Sequence, residues 1–255
     1  MTEIINLDKL CFCTGQYAGQ HCDGGFSQVV RIPSRWLVPL DAAGLTPCDA
    51  MAIGTAGFTA MQAVDTLERA GLSPDDPAPI LVTGAGGGVG GFAIAILSHL
   101  GYNVCASTTR ADSLRDYMHS LGASKVISRL EASKRPLEKE EFSAAIDSVG
   151  GDTLKSVLSR IQYGGSVATC GNAGTAELES TVFPFILRGI SLMGIDSVQL
   201  PEKERLKIWK RFRNGDAPLD AIRKIAYRRI SLKEVPSIIP DLMKGKVQGR
   251  VVVEL

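Results

Sequence analysis

The chain has 255 residues, of which 45% are hydrophobic and 22% charged, with a net charge of +1. This is the composition of a globular protein with a sizeable core, and so balanced a charge selects neither nucleic acid nor an anionic membrane as partner. Six scattered cysteines (Cys11, Cys13, Cys22, Cys48, Cys105 and Cys170) lack paired disulfide spacing, which fits a reducing, cytoplasmic compartment.

The opening "MTEIINLDKL" has neither the basic region nor the apolar region of a signal peptide. The longest apolar run is broken by glycines and His99, so no membrane span is expected. Short apolar runs at Leu10–Cys13 and Phe26–Ile32 read as strands of an antiparallel lobe. Residues 48–70 are rich in Ala and Met with apolar spacing near 3.6, predicting one or two helices that end at Gly71. From Ile80 the pattern alternates. "ILVTG" is a strand, Val89–Leu100 a helix, Asn103–Ser107 a strand, and 111–121 a helix. "KVIS", "FSAAID", "GGSVATCG" and "ISLMGID" are further strands, with a helix over 151–160 after the second of them. Strands separated by helix-sized segments imply right-handed βαβ units and a parallel sheet. The run "LEASKRPLEKEEF" reads as solvated surface. After Asp196 the alternation stops, leaving an amphipathic helix in "PEKERLKIWKRFRNG", a proline-interrupted helical stretch and a closing strand, "GRVVVEL".

The first strand–helix turn reads Gly84-Ala85-Gly86-Gly87-Gly88-Val89-Gly90-Gly91. It satisfies G-x-x-G-x-x-G at Gly84, Gly87 and Gly90, and G-x-G-x-x-G at Gly86, Gly88 and Gly91. Such a turn brings bare backbone N–H groups and a helix N-terminus to a pyrophosphate. A glycine turn that merely packs is the plainer alternative, but the position between strand and helix favours a nucleotide. An NAD site places a carboxylate at the end of the second strand. Here stand Ser107-Thr108-Thr109-Arg110, with no carboxylate before Asp112, which suits the 2′-phosphate of NADPH. The lysine of a phosphate-binding P-loop is absent, as is a Tyr-x-x-x-Lys pair after Tyr163.

With these motifs the chain resembles the medium-chain dehydrogenase/reductase superfamily, and within it the quinone-oxidoreductase branch that includes acrylyl-CoA reductases. The resemblance rests on "MAIGTAGFTAM", "VTGAGGGVGG", "SLGASKVISR", "RPLEKE", "AAIDSVGG", "YGGSVATCGNAG", "PFILRGISLMGIDSV" and "QGRVVVEL", and covers residues 10–255. It implies an α/β fold: a doubly wound Rossmann sheet over 51–198, inserted into a partial GroES-like β-domain made of 1–50 and 199–255. Gly86, Gly87, Gly88 and Val89 are then expected at the pyrophosphate, and Thr108, Thr109, Arg110 and Arg129 at the 2′-phosphate and adenosine. Asn172 is expected near the nicotinamide, Ile186 and Ser197 elsewhere in the cofactor pocket, and Arg250 near cofactor or acyl-CoA. The branch commonly has Ser-Gly-Arg where this chain has Thr-Thr-Arg, which keeps the cation.

The resemblance further implies an NADPH-dependent reductase of an α,β-unsaturated carbonyl, such as an enoyl-CoA, or of a quinone, working as a homodimer. Zinc is not expected, because Cys11-x-Cys13 and His21-Cys22 do not reproduce the ligand spacing of zinc-dependent relatives. His99 and His119 read as packing or surface residues. Family members carry a longer front segment, so a shortened chain is expected, with a catalytically impaired NADPH-binding protein, or a shortened paralogue acting as a binding or structural subunit, as the alternative. No residue is assigned as catalytic acid.

Overall fold

The computed structural model describes residues 2–6, 10–12, 24–33, 36–39, 45–226 and 228–255. Cys13, His21 and Cys22 lie outside the described residues, as does the side chain of Cys11. In the front segment β1 (Thr2–Asn6) pairs antiparallel with β3 (Val29–Pro33), and β2 (Leu10–Phe12) with β4 (Leu37–Pro39). The antiparallel character is as expected; the strand at Thr2–Asn6 is additional.

Helix α1 (Pro47–Arg69) begins at a capping box. The Thr46 hydroxyl accepts from the Asp49 amide at 3.1 Å, and the Asp49 carboxylate accepts from the Thr46 amide at 3.0 Å. Pro47 occupies the first turn, where its missing N–H costs nothing. The helix is broken once, at Gly54, whose φ of 41° and ψ of −149° are open to glycine. That break is why the sequence reads as one or two helices.

The centre is a six-stranded parallel sheet of β5 (Ile80–Val82), β6 (Val104–Thr108), β7 (Lys125–Ser128), β8 (Phe142–Asp147), β9 (Ile161–Thr169) and β10 (Ser191–Gly194). Its spatial order is β10-β9-β8-β5-β6-β7. The chain therefore winds one way from β5 to β7 and the other way from β8 to β10. The reversal opens a crevice at the carboxyl ends of β5 and β8, next to β6. Both faces are covered. Ile80 and Val82 belong to one core cluster with Met61, Phe92 and Trp209, while Leu81 belongs to a second with Ala145, Leu154 and Val157. Alternation along so short a strand follows from the two-residue period, and two covered faces explain its unbroken apolar run. The covering helices include α1, α2 (Gly88–His99), α3 (Ala111–Ser120) and α4 (Gly151–Leu158).

The later elements depart further from the sequence reading. "PFILRG" forms a short helix, α5 (Phe183–Arg188), with Pro184 in its first turn and Gly189 closing it in the left-handed conformation at φ 60°. Of the expected strand "ISLMGID", Ser191–Gly194 is strand. Helix α6 (Glu202–Arg213) is as expected and buries Trp209 and Phe212, with Trp209 tilted against Phe58 of α1. Helix α7 (Leu219–Ile225) and strand β11 (Arg228–Ser231) are not foreseen. Seven residues give too little periodicity for a helix signal, and of "RRIS" only Ile230 is buried. Strand β11 pairs parallel with β12 (Val251–Glu254), and between them run a 3-10 turn (Leu232–Glu234) and α8 (Val235–Met243). The charged run is exposed over much of its length but is also held: Ser133 is buried, and its amide donates to Ser156 Oγ at 2.9 Å. Arg188 donates to the Glu138 carbonyl and, at 2.7 Å, to the Ser159 carbonyl. Among the described residues no helix is long and apolar enough to cross a membrane.

Asp49 joins helix α7 to α1, because Arg223 Nε donates to its Oδ1 at 3.1 Å and Arg223 Nη2 to its Oδ2 at 3.2 Å. Burial pushes this carboxyl up, but the Arg223 and Thr46 bonds outweigh burial and hold it below its ordinary value. A depressed native pKa contributes stability above the unfolded-state pKa, and that contribution is lost as pH falls through the native value. Asp49→Ala should therefore lower unfolding free energy by about 1–2 kcal/mol at neutral pH, the cost of losing its bonds to the Thr46 amide and Arg223. In urea melts repeated at successively lower pH, the gap between the two proteins should shrink as the wild-type carboxylate takes up its proton.

Candidate nucleotide-binding site

The turn after β5 decides which glycine register is in use. Gly84 sits at φ 59°, a left-handed conformation that suits the first, tight-turn glycine. Gly87 caps α2, and the nearest atom a Cβ there would meet is the Gly84 carbonyl at 3.4 Å, so its outer side is open. Gly90 is the close-packing position: a Cβ would lie 2.5 Å from both Ala85 Cα and the Gly84 carbonyl oxygen. Gly84, Gly87 and Gly90 thus take the three roles of the dinucleotide motif. Gly88 is small for another reason, since a Cβ there would lie 2.7 Å from Arg250 Cδ.

The first turn of α2 carries no acidic residue, so its free N–H groups and partial positive charge face the crevice uncompensated. They open onto a cavity of about 480 Å³. Of the residues singled out in the sequence, Gly86, Gly87, Gly88, Thr108, Thr109, Arg110, Arg129 and Arg250 all line it. Val89, Asn172, Ile186 and Ser197 do not. Val89 is half-buried in the first turn of α2, and Asn172 is exposed just before the lining pair Ala173–Gly174. Ile186 is 66% exposed on α5, and Ser197 is half-buried beyond β10.

Three guanidinium groups surround the cavity. Arg110, at the end of β6, donates through Nη1 to the Lys246 carbonyl at 2.7 Å and through Nη2 to the Val247 carbonyl at 3.0 Å. Arg129, just past β7, donates to Thr153 Oγ1 at 2.7 Å. Arg250 reaches beneath Gly88 to the kink of α1, where its Nε donates to the Ala52 carbonyl at 3.2 Å. Burial lowers the Arg250 pKa from its ordinary value with no opposing carboxylate. Among the described residues no carboxylate forms an ion pair with Arg110 or Arg250. The donor set and the uncovered helix end fit an anionic ligand such as a dinucleotide.

Asp147 was passed over in the sequence, although it stands in "AAIDSVGG". It is fully buried at the end of β8, accepting from Thr83 Oγ1 at 2.6 Å and from the Gly150 amide at 2.8 Å. Burial pushes its carboxyl up, against the Thr83 and backbone bonds and the Arg129 charge. It ties the ends of β5 and β8 together at the crevice. Val247 and Gly249, also lining residues, gave no local signal because they reach the site only through the tertiary fold. His99 and His119 are exposed, and His119 Nδ1 lies 2.7 Å from the Ala123 carbonyl. Among the described residues no group of three His, Cys, Asp or Glu side chains could hold a metal.

Comparison with known proteins agrees with this geometry. The sequence profile described as zinc-binding dehydrogenase matches residues 88–212. Acrylyl-CoA reductase AcuI of Ruegeria pomeroyi is 49% identical over 245 residues, covering 95% of this chain and 73% of that protein. The chain belongs to the medium-chain dehydrogenase/reductase superfamily. Among solved members, the YhdH oxidoreductase of Salmonella enterica in complex with NADP superposes with a TM-score of 0.88 at 43% identity, covering 93% of this chain and 72% of that one. Bacillus subtilis YhfP with NAD bound gives 0.90 at 45% identity, covering 97% and 75%. These relatives establish a medium-chain reductase whose Rossmann sheet accompanies a GroES-like domain. The chain spans about three quarters of their length.

Gly90→Ala should be the most damaging single-methyl addition in the turn, because both clashing atoms are backbone. The expected loss is about 3 kcal/mol or more of stability, together with nucleotide binding. A variant that melts with the wild type would show that the helix can step away from the strand.

Proposed function

We propose that the chain is a zinc-independent, NADPH-dependent reductase of an α,β-unsaturated carbonyl of the acrylyl-CoA type, with a quinone as the other substrate class. The observation that carries this reading is the meeting of an uncovered helix N-terminus with Arg110 and Arg250, two cations without carboxylate partners. NADP bound to the YhdH relative supports it. The NAD bound to YhfP makes NADH the necessary comparison.

In this reading the glycine turn at Gly86–Gly88 and the buried Arg250 hold the pyrophosphate, while Thr108, Thr109 and Arg110 hold the 2′-phosphate, with Arg129 on the adenosine side. Val89, Asn172, Ile186 and Ser197 complete the proposed contacts away from the lining just described. The bound cofactor supplies a hydride to the β-carbon of the substrate. The chain would position the cofactor and exclude water, so its contribution is position and charge. We assign the Rossmann unit to 51–198 and the GroES-like part to 1–50 and 199–255, and we expect a cytoplasmic homodimer.

A second reading, NADPH binding without turnover, is favoured by one observation. Among the described residues lining the cavity, none carries a side chain able to donate a proton near neutral pH.

The tests are direct. NADPH should bind with enhanced cofactor fluorescence, and adding acrylyl-CoA should deplete NADPH absorbance. Binding without depletion on acrylyl-CoA or quinones would select the second reading; no binding would end both. Arg110→Ala should weaken NADPH by about 10–100-fold, the loss of charge-assisted bonds, and leave NADH within about twofold.

A further inference from the structure

The loop between α8 and β12 is fixed at both ends and spanned in the middle. At its start the Gly245 amide donates to the Leu242 carbonyl at 3.0 Å and the Lys246 amide to the Asp241 carbonyl at 2.9 Å, closing it onto the end of α8. At its end the Gly249 amide donates to the Gly86 carbonyl at 3.0 Å and the Arg250 amide to the Ile225 carbonyl at 2.8 Å. Gly249 is held at φ 53°, where a Cβ would lie 2.3 Å from that Ile225 carbonyl and 3.1 Å from the Tyr117 hydroxyl. Between these anchors the carbonyls of Lys246 and Val247 both point at Arg110, across separations of 136 and 137 residues.

We propose that the Lys246–Val247 carbonyl pair is the positioning element that makes Arg110 selective for an adenosine ribose phosphate. The proposal rests on the NADPH reading above. A guanidinium has five N–H donors in a rigid plane. Two bonds to the loop fix that plane and leave three donors for a ligand. The fixed group stands over the turn, since a Cβ at Gly86 would lie 3.2 Å from Arg110 Nη2. The inner side is set by the Arg110 amide, which donates to Thr108 Oγ1 at 3.3 Å. An arginine free at the mouth of a crevice would have to lose side-chain freedom when it takes hold of a phosphate; here the loop has already removed much of it. A phosphate held on the remaining donors would fix the Arg110 side chain from its other side, so this nucleotide alone should restrict the motion of residues 244–249. A nucleotide without the 2′-phosphate makes no such contact and should leave the loop unchanged.

Two measurements test this on the full chain. In the absence of any nucleotide, hydrogen exchange of a peptide spanning 244–250 should rise about tenfold in Arg110→Ala, which forfeits two bonds to a charged donor. Unchanged exchange would overturn the proposal. The second variant leaves Arg110 in place. Gly245→Pro cannot keep φ at 63° and so rebuilds the turn that presents the Lys246 carbonyl. Provided a thermal melt shows that it folds, its Kd for NADPH should rise about tenfold while that for NADH stays within about twofold. Equal losses for the two nucleotides, or an unaltered NADPH preference, would overturn the positioning role alone. A wild-type chain that binds NADPH and NADH equally would overturn both this role and the 2′-phosphate reading, whereas the exchange result in the nucleotide-free protein separates the two failures.

Discussion

The contact between Gly90 and the backbone of Gly84–Ala85 is the constraint on which the rest of the molecule depends. A Cβ at Gly90 would lie 2.5 Å from two main-chain atoms, so helix α2 can approach β5 this closely only through glycine. That closeness aims the N-terminus of α2 at the point where the sheet reverses its winding. It also presses Gly88 onto the stem of Arg250 and brings Gly86 beneath Arg110. One missing methyl group therefore sets the position of a helix dipole and the floor under two cations.

The cations themselves are held by carbonyl oxygens. Arg110 binds the carbonyls of Lys246 and Val247, and Arg250 binds that of Ala52. A carbonyl orients a guanidinium without cancelling its charge, whereas a carboxylate would do both. The contrast with the surface is plain. Arg223, Arg211 and Arg69 all meet carboxylates of another helix, Asp49, Glu68 and Glu204, rather than facing the cavity. Asp147 adds the complementary device, a buried acceptor that gathers Thr83 and the Gly150 amide and keeps the crevice walls in register.

Much of this was legible along the chain. "ILVTGAGGGVGG" carries its own turn chemistry, and "STTR" places hydroxyls and a cation at the end of the next strand, so both can be read from neighbours in sequence. The elements that escaped reading were short or locally ambiguous. Helix α7 has seven residues, β11 is largely exposed, and α5 has only six residues, bounded by Pro184 and Gly189. Of the twelve expected cofactor residues, Val89, Asn172, Ile186 and Ser197 lie outside the cavity lining.

By itself the sequence determined the alternation of parallel strands and helices, the glycine turn and the sign of the site, since these follow from periodicity, glycine spacing and residue charge within a few positions; the doubly wound order came with the family resemblance. Only the tertiary structure decided which glycines take which role and which cations remain unpaired. It alone showed that a loop more than 130 residues from Arg110 completes the wall around it. The reason is physical: backbone carbonyls are present at every residue, so a site built from them leaves no mark in composition or motif until folding brings the chain together.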